Sequence, residues 1–304
     1  GLVIATVVLI WIGRVPGGWA VLDAESFAAF LPMRLPRLIA AASAGAALAI
    51  AGAILQRLTA NPLASPEVLG VSGGAAMGYA GVVYFAAAPT AIALTAGTMS
   101  GGALALLLVA AFVSRRDMPA ERVLLAGIAV SALASALLSA IMAVGDMRSF
   151  QILGWLSGSS SAMTMQGAFA LAGLAVVLWM VALALRRWLA VLPLGAGVAG
   201  GLGLPLRQAR MILIALAGMA TGAATVLVGP LSFVGLMAPH VARRLGLARP
   251  GDHITGAALI GAGLMLVADF GARMAGFPYE LPLGLFASLI GGPWLIWLMT
   301  RPAR

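Results

Sequence analysis

The chain has 304 residues, of which 62 % are hydrophobic and only 9 % are charged. Soluble domains carry about 25 % charged residues, so this chain has too few of them to cover a surface in water. We therefore predict an integral membrane protein. Its apolar runs are long and do not alternate with polar residues, which favours α-helices over the strands of a β-barrel.

The net charge of +9 comes from arginine alone, since the chain has no lysine. The arginines cluster at the ends of apolar segments, which is typical of topology determinants, and the sequence predicts no nucleic-acid partner. A Walker A loop needs a lysine, so an ATP-driven process would require a separate ATPase. The absence of cysteine excludes disulfides, thiolate metal sites and a cysteine nucleophile.

The first apolar run, LVIATVVLIWIG, follows Gly1 and is about a dozen residues long, whereas a full span needs roughly 20. We interpret it as a first helix cut within its span, and the chain as a fragment of a longer protein. Runs of spanning length follow at residues 36–58, 68–86, 91–114, 119–144, 166–186, 210–229, 254–275 and 281–299.

A tenth candidate, Ser232–Arg244, is too short to look like a span by itself. If it crosses, however, the outer face keeps only the arginines at positions 14, 34, 37, 148 and 273, and all others lie on the cytoplasmic side. We therefore predict ten crossings with both ends cytoplasmic. Gly229-Pro230 before this segment and Pro239 within it indicate a broken helix buried in protein.

The stretch between residues 56 and 76, QRLTANPLASPEVLGVSGGAA, contains a Gly-x-Ser-x-Gly pattern centred on Ser72. A nucleophile elbow needs a strand–turn–helix context, which this sequence does not predict. One alternative is an intramembrane serine protease that pairs Ser72 with His240. The favoured interpretation is a surface turn followed by a helix, with Ser65 as N-cap, Pro66 in the first turn and Glu67 favourable to the helix dipole.

Other chemistries have little support in the sequence. The two histidines, His240 and His253, lie on opposite sides of a Pro-Gly turn without metal-binding spacing, so we predict no metal site. We also predict no catalytic residues. A secondary transporter would use acidic residues at mid-membrane, and Asp269 is the one candidate.

Several motifs together resemble those of the FecCD-type permeases of binding-protein-dependent importers. The stretch from residue 56 to 76 is similar to the signature after the second helix of that family. The likeness continues in order through RVLLAGIAVS (122–131), LGWLSGS (153–159), LPLGAGVAGGLGLPL (192–206), GPLSFVGLMAPHVARRLG (229–246) and ELPLGLFASLIGGPWLIWLM (280–299). Within the family, the chain most resembles the second half of double-length ferric-hydroxamate permeases.

This resemblance implies an all-α, ten-helix membrane bundle in which residues 1–304 form one permease domain, as half of a dimer or of a fused permease. It implies import of a ferric siderophore across the bacterial inner membrane, with haem or cobalamin as alternative cargo. The expected partners are cytoplasmic ATPase subunits, a periplasmic siderophore-binding protein and a second permease half. No cofactor is expected on this chain, because ATP and Mg²⁺ would bind to the ATPase.

The resemblance also places sites on residues. A cytoplasmic coupling loop is expected at residues 188–209, with the ATPase contact on Leu194, Gly195, Ala199, Leu202 and Gly203. Relatives carry charged or polar residues where this loop has glycines at 197, 200 and 201, and each glycine lowers helix propensity by about 1 kcal/mol relative to alanine. A flexible loop without ATPase contact is the alternative.

Docking of the binding protein is expected on Arg34, Arg37 and Arg273, because guanidinium groups hold carboxylates bidentately. The alternative for Arg273 is an ion pair with Asp269, four residues earlier on the same helix face. The translocation pathway is expected near Gln56, Met142, Ser157 and Ser159.

Overall fold

The computed structural model describes residues 12–15, 18–21, 24–114, 120–143, 145–161, 163–275 and 279–300. Strands β1 (Ile12–Val15) and β2 (Gly18–Val21) form a small antiparallel hairpin, and the other elements are helical. The predicted all-α class is confirmed. Of the first apolar run, residues 1–11 lie outside the described residues, and its last two residues belong to β1.

Twelve α-helices follow the hairpin within the described ranges. They are α1 (Ala24–Leu58), α2 (Val71–Phe85), α3 (Ala91–Ser114), α4 (Ala120–Met142), α5 (Met147–Leu156), α6 (Met165–Ala184), α7 (Arg186–Val191), α8 (Ala196–Gly201), α9 (Leu206–Val228), α10 (Val234–Arg244), α11 (Pro250–Ala275) and α12 (Leu283–Met299). Short 3₁₀ turns occupy Pro66–Leu69 and Leu192–Leu194. By length and composition, six of the described helices can cross a membrane, and α12 is a shorter apolar helix.

Most helix boundaries agree with the predicted apolar runs, but α1 does not. It begins at Ala24 rather than at residue 36, and it continues through Pro32 and Pro36. A proline inside a helix removes one backbone hydrogen bond, yet neighbouring helices make such positions tolerable in membrane proteins. The apolar pattern alone could not reveal this extension, because the two prolines favoured a later start.

Helix α1 runs through the centre of the bundle and packs against α6, α9, α10 and α11. Its contacts with two of these helices are backbone to backbone. A Cβ added at Gly45 would lie 2.2 Å from the carbonyl oxygen of Gly261, and one at Gly52 would lie 1.7 Å from that of Gly235. The glycines at these positions therefore let the helices touch, as small residues do in other membrane bundles.

Helix α10 begins inside the bundle, beside α1, as expected of a broken helix. The chain leaves α9 at Gly229 (φ 87°) and enters α10 through Phe233, which also has a positive φ of 69°. Gly235, in the first turn of α10, is packed between Pro66 and the backbone at Leu48. The total number of membrane crossings stays a prediction.

The bundle has two ends, which we name after the helices found there. At the α5 end, residues 157–161 contact α11 and the start of α12, because Ser160 bonds to Asp269 and Leu283 bonds to Gly158. At the α8 end, Arg57 near the end of α1 reaches the carbonyl groups of Leu189 and Ala248.

Candidate functional site

A buried ion-pair network lies at the α5 end. The Arg37 side chain is only 6 % exposed, and its Nε lies 2.5 Å from Oδ1 of Asp269, which is completely buried. An Nη atom of Arg37 lies 2.6 Å from Oε2 of Glu280. Asp269 also accepts hydrogen bonds from Ser160 Oγ (2.9 Å) and Arg273 Nε (3.0 Å). Buried charges are stable in such a setting because each one is paired and hydrogen-bonded.

This network contains two of the three arginines that were predicted to dock a partner. The predicted pair of Asp269 and Arg273 on one helix face is present. Arg34 lies one turn before Arg37, is partly exposed, and is close enough to Arg273 for the two guanidinium groups to repel each other. The roles of Glu280 and Ser160 were not predicted, because no local sequence pattern connects them to Arg37.

The residues after α5 form a junction between three helices. The Gly158 carbonyl accepts a hydrogen bond from the Leu283 N–H (3.0 Å), and the Ser159 N–H donates to the Val228 carbonyl (2.8 Å). The Ser157 hydroxyl donates to the carbonyl of Gly154 at 2.7 Å. Two of the predicted pathway residues, Ser157 and Ser159, therefore lie where the ends of α5 and α9 meet the start of α12.

A cavity of about 390 Å³ opens beside this junction. Its wall includes the stacked rings of Tyr79 and Trp155, whose centroids are 4.7 Å apart, and the hydroxyl groups of Ser159 and Thr164. Ser159 thus has access to an open volume. Met142, also predicted for the pathway, instead packs against the apolar cluster around Tyr79.

Gln56, the fourth predicted pathway residue, is buried between α1 and α10. Its Nε2 donates to the carbonyl of Leu236 (3.1 Å), and its Oε1 accepts from the guanidinium of Arg243. Both ends of the amide are therefore engaged within the chain. Gln56 fixes the position of α10 relative to α1.

Arg57 joins several elements at the α8 end. It donates to Nδ1 of His253 (3.2 Å), to the carbonyl of Leu189 (3.4 Å) and to the carbonyl of Ala248 (2.5 Å). Because Nδ1 of His253 accepts, its Nε2 carries the hydrogen and donates to the carbonyl of Pro239 at 2.9 Å. His253 is thereby a buried structural residue. Within the described ranges, no three His, Cys, Asp or Glu residues are grouped to hold a metal ion.

The predicted coupling loop is folded into short helices. A 3₁₀ turn ends at Leu194, Gly195 (φ 95°) changes the chain direction, and α8 follows. Helix α8 ends in a Schellman motif, in which Gly203 has φ 80° and Leu204 N–H bonds to the carbonyl of Ala199. The glycines within α8 are thus helical in this structure.

An apolar ridge runs along this loop. We define it as Leu194, Val198 and Leu202, which are spaced four residues apart and are 58 %, 53 % and 65 % exposed. Ala199 is completely buried beneath it. The five residues predicted for ATPase contact therefore form one small structure, with leucines outward and Ala199 inward. Val198 was not predicted.

Among the described residues, the side chain that Ser72 contacts is a hydroxyl and not a base. It is the second residue of α2, and its hydroxyl lies 3.3 Å from that of Thr225 on α9. His240 instead accepts a hydrogen bond from Arg244 (3.2 Å) and packs edge-on against Trp294. The hypothesis of a Ser72–His240 catalytic pair finds no support in this geometry, because each side chain is engaged elsewhere.

This structure is that of a multi-pass helical membrane protein. It has long apolar helices, and the broken helix α10 begins inside the bundle. The chain belongs to the FecCD transport family, whose sequence profile matches residues 2–301. It is 43 % identical over 305 aligned residues to the iron(3+)-hydroxamate import system permease protein FhuB of Salmonella typhimurium, covering 100 % of this chain and 44 % of FhuB. The chain thus spans about half the length of that relative.

Two further comparisons agree with this membership. The vitamin B12 import system permease protein BtuC of Escherichia coli is 37 % identical over 299 residues, covering 97 % of this chain and 89 % of BtuC. A solved inward-facing structure of a metal-chelate type ABC transporter superposes with a TM-score of 0.88 at 29 % identity, covering 99 % of this chain and 96 % of that one. The predicted family is confirmed.

Proposed function

We propose that this chain is a permease domain of an ATP-driven importer that moves a ferric siderophore of the hydroxamate type from periplasm to cytoplasm. The main support is the 43 % identity to FhuB along the whole chain. The 37 % identity to BtuC favours cobalamin as a second candidate cargo. Because this chain matches about half of FhuB, we infer that it acts as one of two permease halves, fused or separate.

The energy source in this proposal is a separate ATPase that docks at the α8 end. The chain has no lysine for a Walker A loop, whereas the loop at residues 188–209 exposes the apolar ridge. A cleft on the ATPase would cover these leucines, and its closure would move α7 and α8 together. The hydrogen bond from Arg57 to the carbonyl of Leu189 links α7 directly to the central helix α1, so a movement of α7 would reach α1.

The α5 end faces the periplasm in this proposal, and the membrane is the bacterial inner membrane. Arginines at the α8 end, such as Arg57, Arg243 and Arg249, would then lie on the cytoplasmic side, in agreement with the positive-inside rule. The binding protein would dock at Arg34, Arg37 and Arg273, with its carboxylates facing their guanidinium groups.

Cargo would enter beside the junction at Ser157 and Ser159 and leave past Gln56, whose release from Arg243 would let α10 move. No step breaks a bond in the cargo, and the chain acts by alternating access between two conformations. Within the described residues, the open volume at Ser159 has no cluster of charged side chains on its wall. This suits a conduit that receives cargo from a binding protein.

Uptake of radioactive iron tests this proposal. Permease-deficient bacteria would express the full-length gene with its own ATPase and binding protein, and would be given a labelled ferric hydroxamate. Cobalamin, haem and a ferric catecholate would compete in parallel. We expect uptake that only hydroxamates block. If the cells took up one of the competitors and no ferric hydroxamate, the proposed cargo would be wrong. The family membership would not be affected.

A further inference from the structure

The Arg37 network contains one carboxylate that is open to solvent. The Glu280 side chain is 50 % exposed, whereas that of Arg37 is 6 % exposed and that of Asp269 is completely buried. The ion pair between Glu280 and Arg37 is nevertheless short, at 2.6 Å. Glu280 therefore covers a buried arginine from the outside of the molecule.

The two carboxylates of the network differ in how firmly they are held. Asp269 accepts hydrogen bonds from Arg37, Ser160 and Arg273, so its departure would leave several buried donors unsatisfied. Glu280 is half exposed and among the described residues bonds only to Arg37, so water can solvate its carboxylate on release while Arg37 keeps its bond to Asp269. Of these two carboxylates, Glu280 is the exchangeable one.

The charges of this cluster favour replacement of the Glu280 carboxylate by another carboxylate over its loss to water. Among the described residues, the guanidinium groups of Arg37 and Arg273 lie beside the carboxylates of Asp269 and Glu280, and Arg34 lies near Arg273. With Glu280 displaced, the guanidinium groups of Arg37 and Arg273 would share one carboxylate, that of Asp269, which leaves an excess of one positive charge. A buried arginine with such an excess attracts an anion that can reach the surface position of Glu280.

We propose that Glu280 is an internal competitor for docking, and that an acidic side chain of the periplasmic binding protein displaces it from Arg37. This inference rests on the docking function proposed above. In the undocked permease, Glu280 occupies the guanidinium that the partner needs. Docking therefore replaces an internal ion pair with an intermolecular one.

Displacement of Glu280 also acts on α12. The Leu281 N–H donates to the carbonyl of Ala272 (3.1 Å), and the Leu283 N–H donates to the carbonyl of Gly158 (3.0 Å). Glu280 is thus the charged end of a short segment that connects α11, the junction after α5 and the first turn of α12. An exchange at Arg37 would transmit docking to these three elements.

The test is the affinity of the cognate binding protein for the full-length permease with its ATPase, reconstituted in lipid nanodiscs. Glu280→Gln removes the competing charge and keeps an oxygen that can accept from Arg37. We expect its Kd for the binding protein to be about 2- to 10-fold lower than that of the wild type, as expected when a half-exposed ion pair is removed.

Asp146→Asn is the matched control. Asp146 lies at the same end, has a side chain 43 % exposed, and pairs with Arg148 at 3.6 Å, so the variant loses the same charge at similar exposure. We expect its Kd to stay within about twofold of the wild type, with any long-range effect reduced at higher salt. Glu280→Asp, which keeps the charge on a shorter side chain, is expected to have an intermediate Kd and the wild-type fold.

The outcomes separate the two proposals. A Kd for Glu280→Gln that equals or exceeds that of the wild type would overturn the competitor role, as would an equal gain in Asp146→Asn. Failure of the wild type to bind at all would overturn the docking function itself, and the competitor role with it.

Discussion

The carboxylate of Glu67 accepts a 2.9 Å hydrogen bond from the backbone N–H of Phe233, which precedes the first turn of α10. The sequence predicted that Glu67 would stabilise the helix following it, with Ser65 as the N-cap. Ser65 occupies the N-cap position of the 3₁₀ turn but makes no side-chain capping bond. Glu67 instead caps α10, a helix far along the chain that begins inside the bundle.

Removing this acceptor should destabilise the protein. In Glu67→Ala the N–H of Phe233 loses its partner within the bundle, and an unsatisfied buried group costs about 1–3 kcal/mol. Glu67→Gln keeps an acceptor oxygen and should remain within about 1 kcal/mol of the wild type. Thermal unfolding of the detergent-solubilised protein, followed by tryptophan fluorescence, measures both. Equal stability of the alanine variant and the wild type would contradict the capping role.

The same carboxylate should make stability depend on pH. Burial raises the pKa of Glu67 above its usual value, and the hydrogen bond from Phe233 only partly opposes this. The folded state therefore binds the proton more tightly than the unfolded state. Stability should fall as pH rises from the ordinary glutamate pKa to the raised one, and level off above it. Glu67→Gln should lack this part of the pH dependence, and an unchanged profile would contradict the assignment.

The contact between α1 and α10 should not tolerate a methyl group. In Gly52→Ala the new Cβ would lie 1.7 Å from the carbonyl oxygen of Gly235, so the helices must separate. We expect the free energy of unfolding to fall by about 1–3 kcal/mol. Gly81→Ala in α2 is the control, because its Cβ would meet nothing within 4 Å, and it should be neutral or stabilising by up to about 1 kcal/mol. Similar melting temperatures for both variants would contradict this packing.

The ATPase contact can be tested with two leucines in matching positions. Leu202 follows α8 and Leu245 follows α10; they are 65 % and 67 % exposed, and each precedes a glycine with positive φ. We expect Leu202→Ser to lower iron uptake and ATPase binding about tenfold, because it interrupts the apolar ridge. Leu245→Ser should change both by less than twofold. Equal effects would indicate a general loss of stability rather than a contact on the loop.

Ser72 should have no role as a nucleophile. We expect Ser72→Ala to retain uptake within about twofold of the wild type, because the change removes only a 3.3 Å contact with Thr225. The wild type should not be labelled by a fluorophosphonate probe. Covalent labelling that disappears in Ser72→Ala and in His240→Ala would restore the protease hypothesis.

The sequence predicted local features better than long-range ones. Apolar runs located the long helices, and the spacing of Asp269 and Arg273 suggested their ion pair, because both depend on neighbouring residues. The short helix α5 was missed, since ten residues carry no signal of a membrane span. The bonds from Arg37 to Asp269 and from Gln56 to Leu236 join residues 232 and 180 positions apart, which no periodicity can reveal.

The central position of α1 has a consequence for biogenesis. The ribosome makes α1 before the other described helices. Three of the helices that bury it, α9, α10 and α11, lie after residue 205. During synthesis Arg37 is made long before Asp269, so its guanidinium lacks this buried carboxylate until the last third of the chain has emerged. The buried ion pair between Arg37 and Asp269 can therefore form only after α11 has been made.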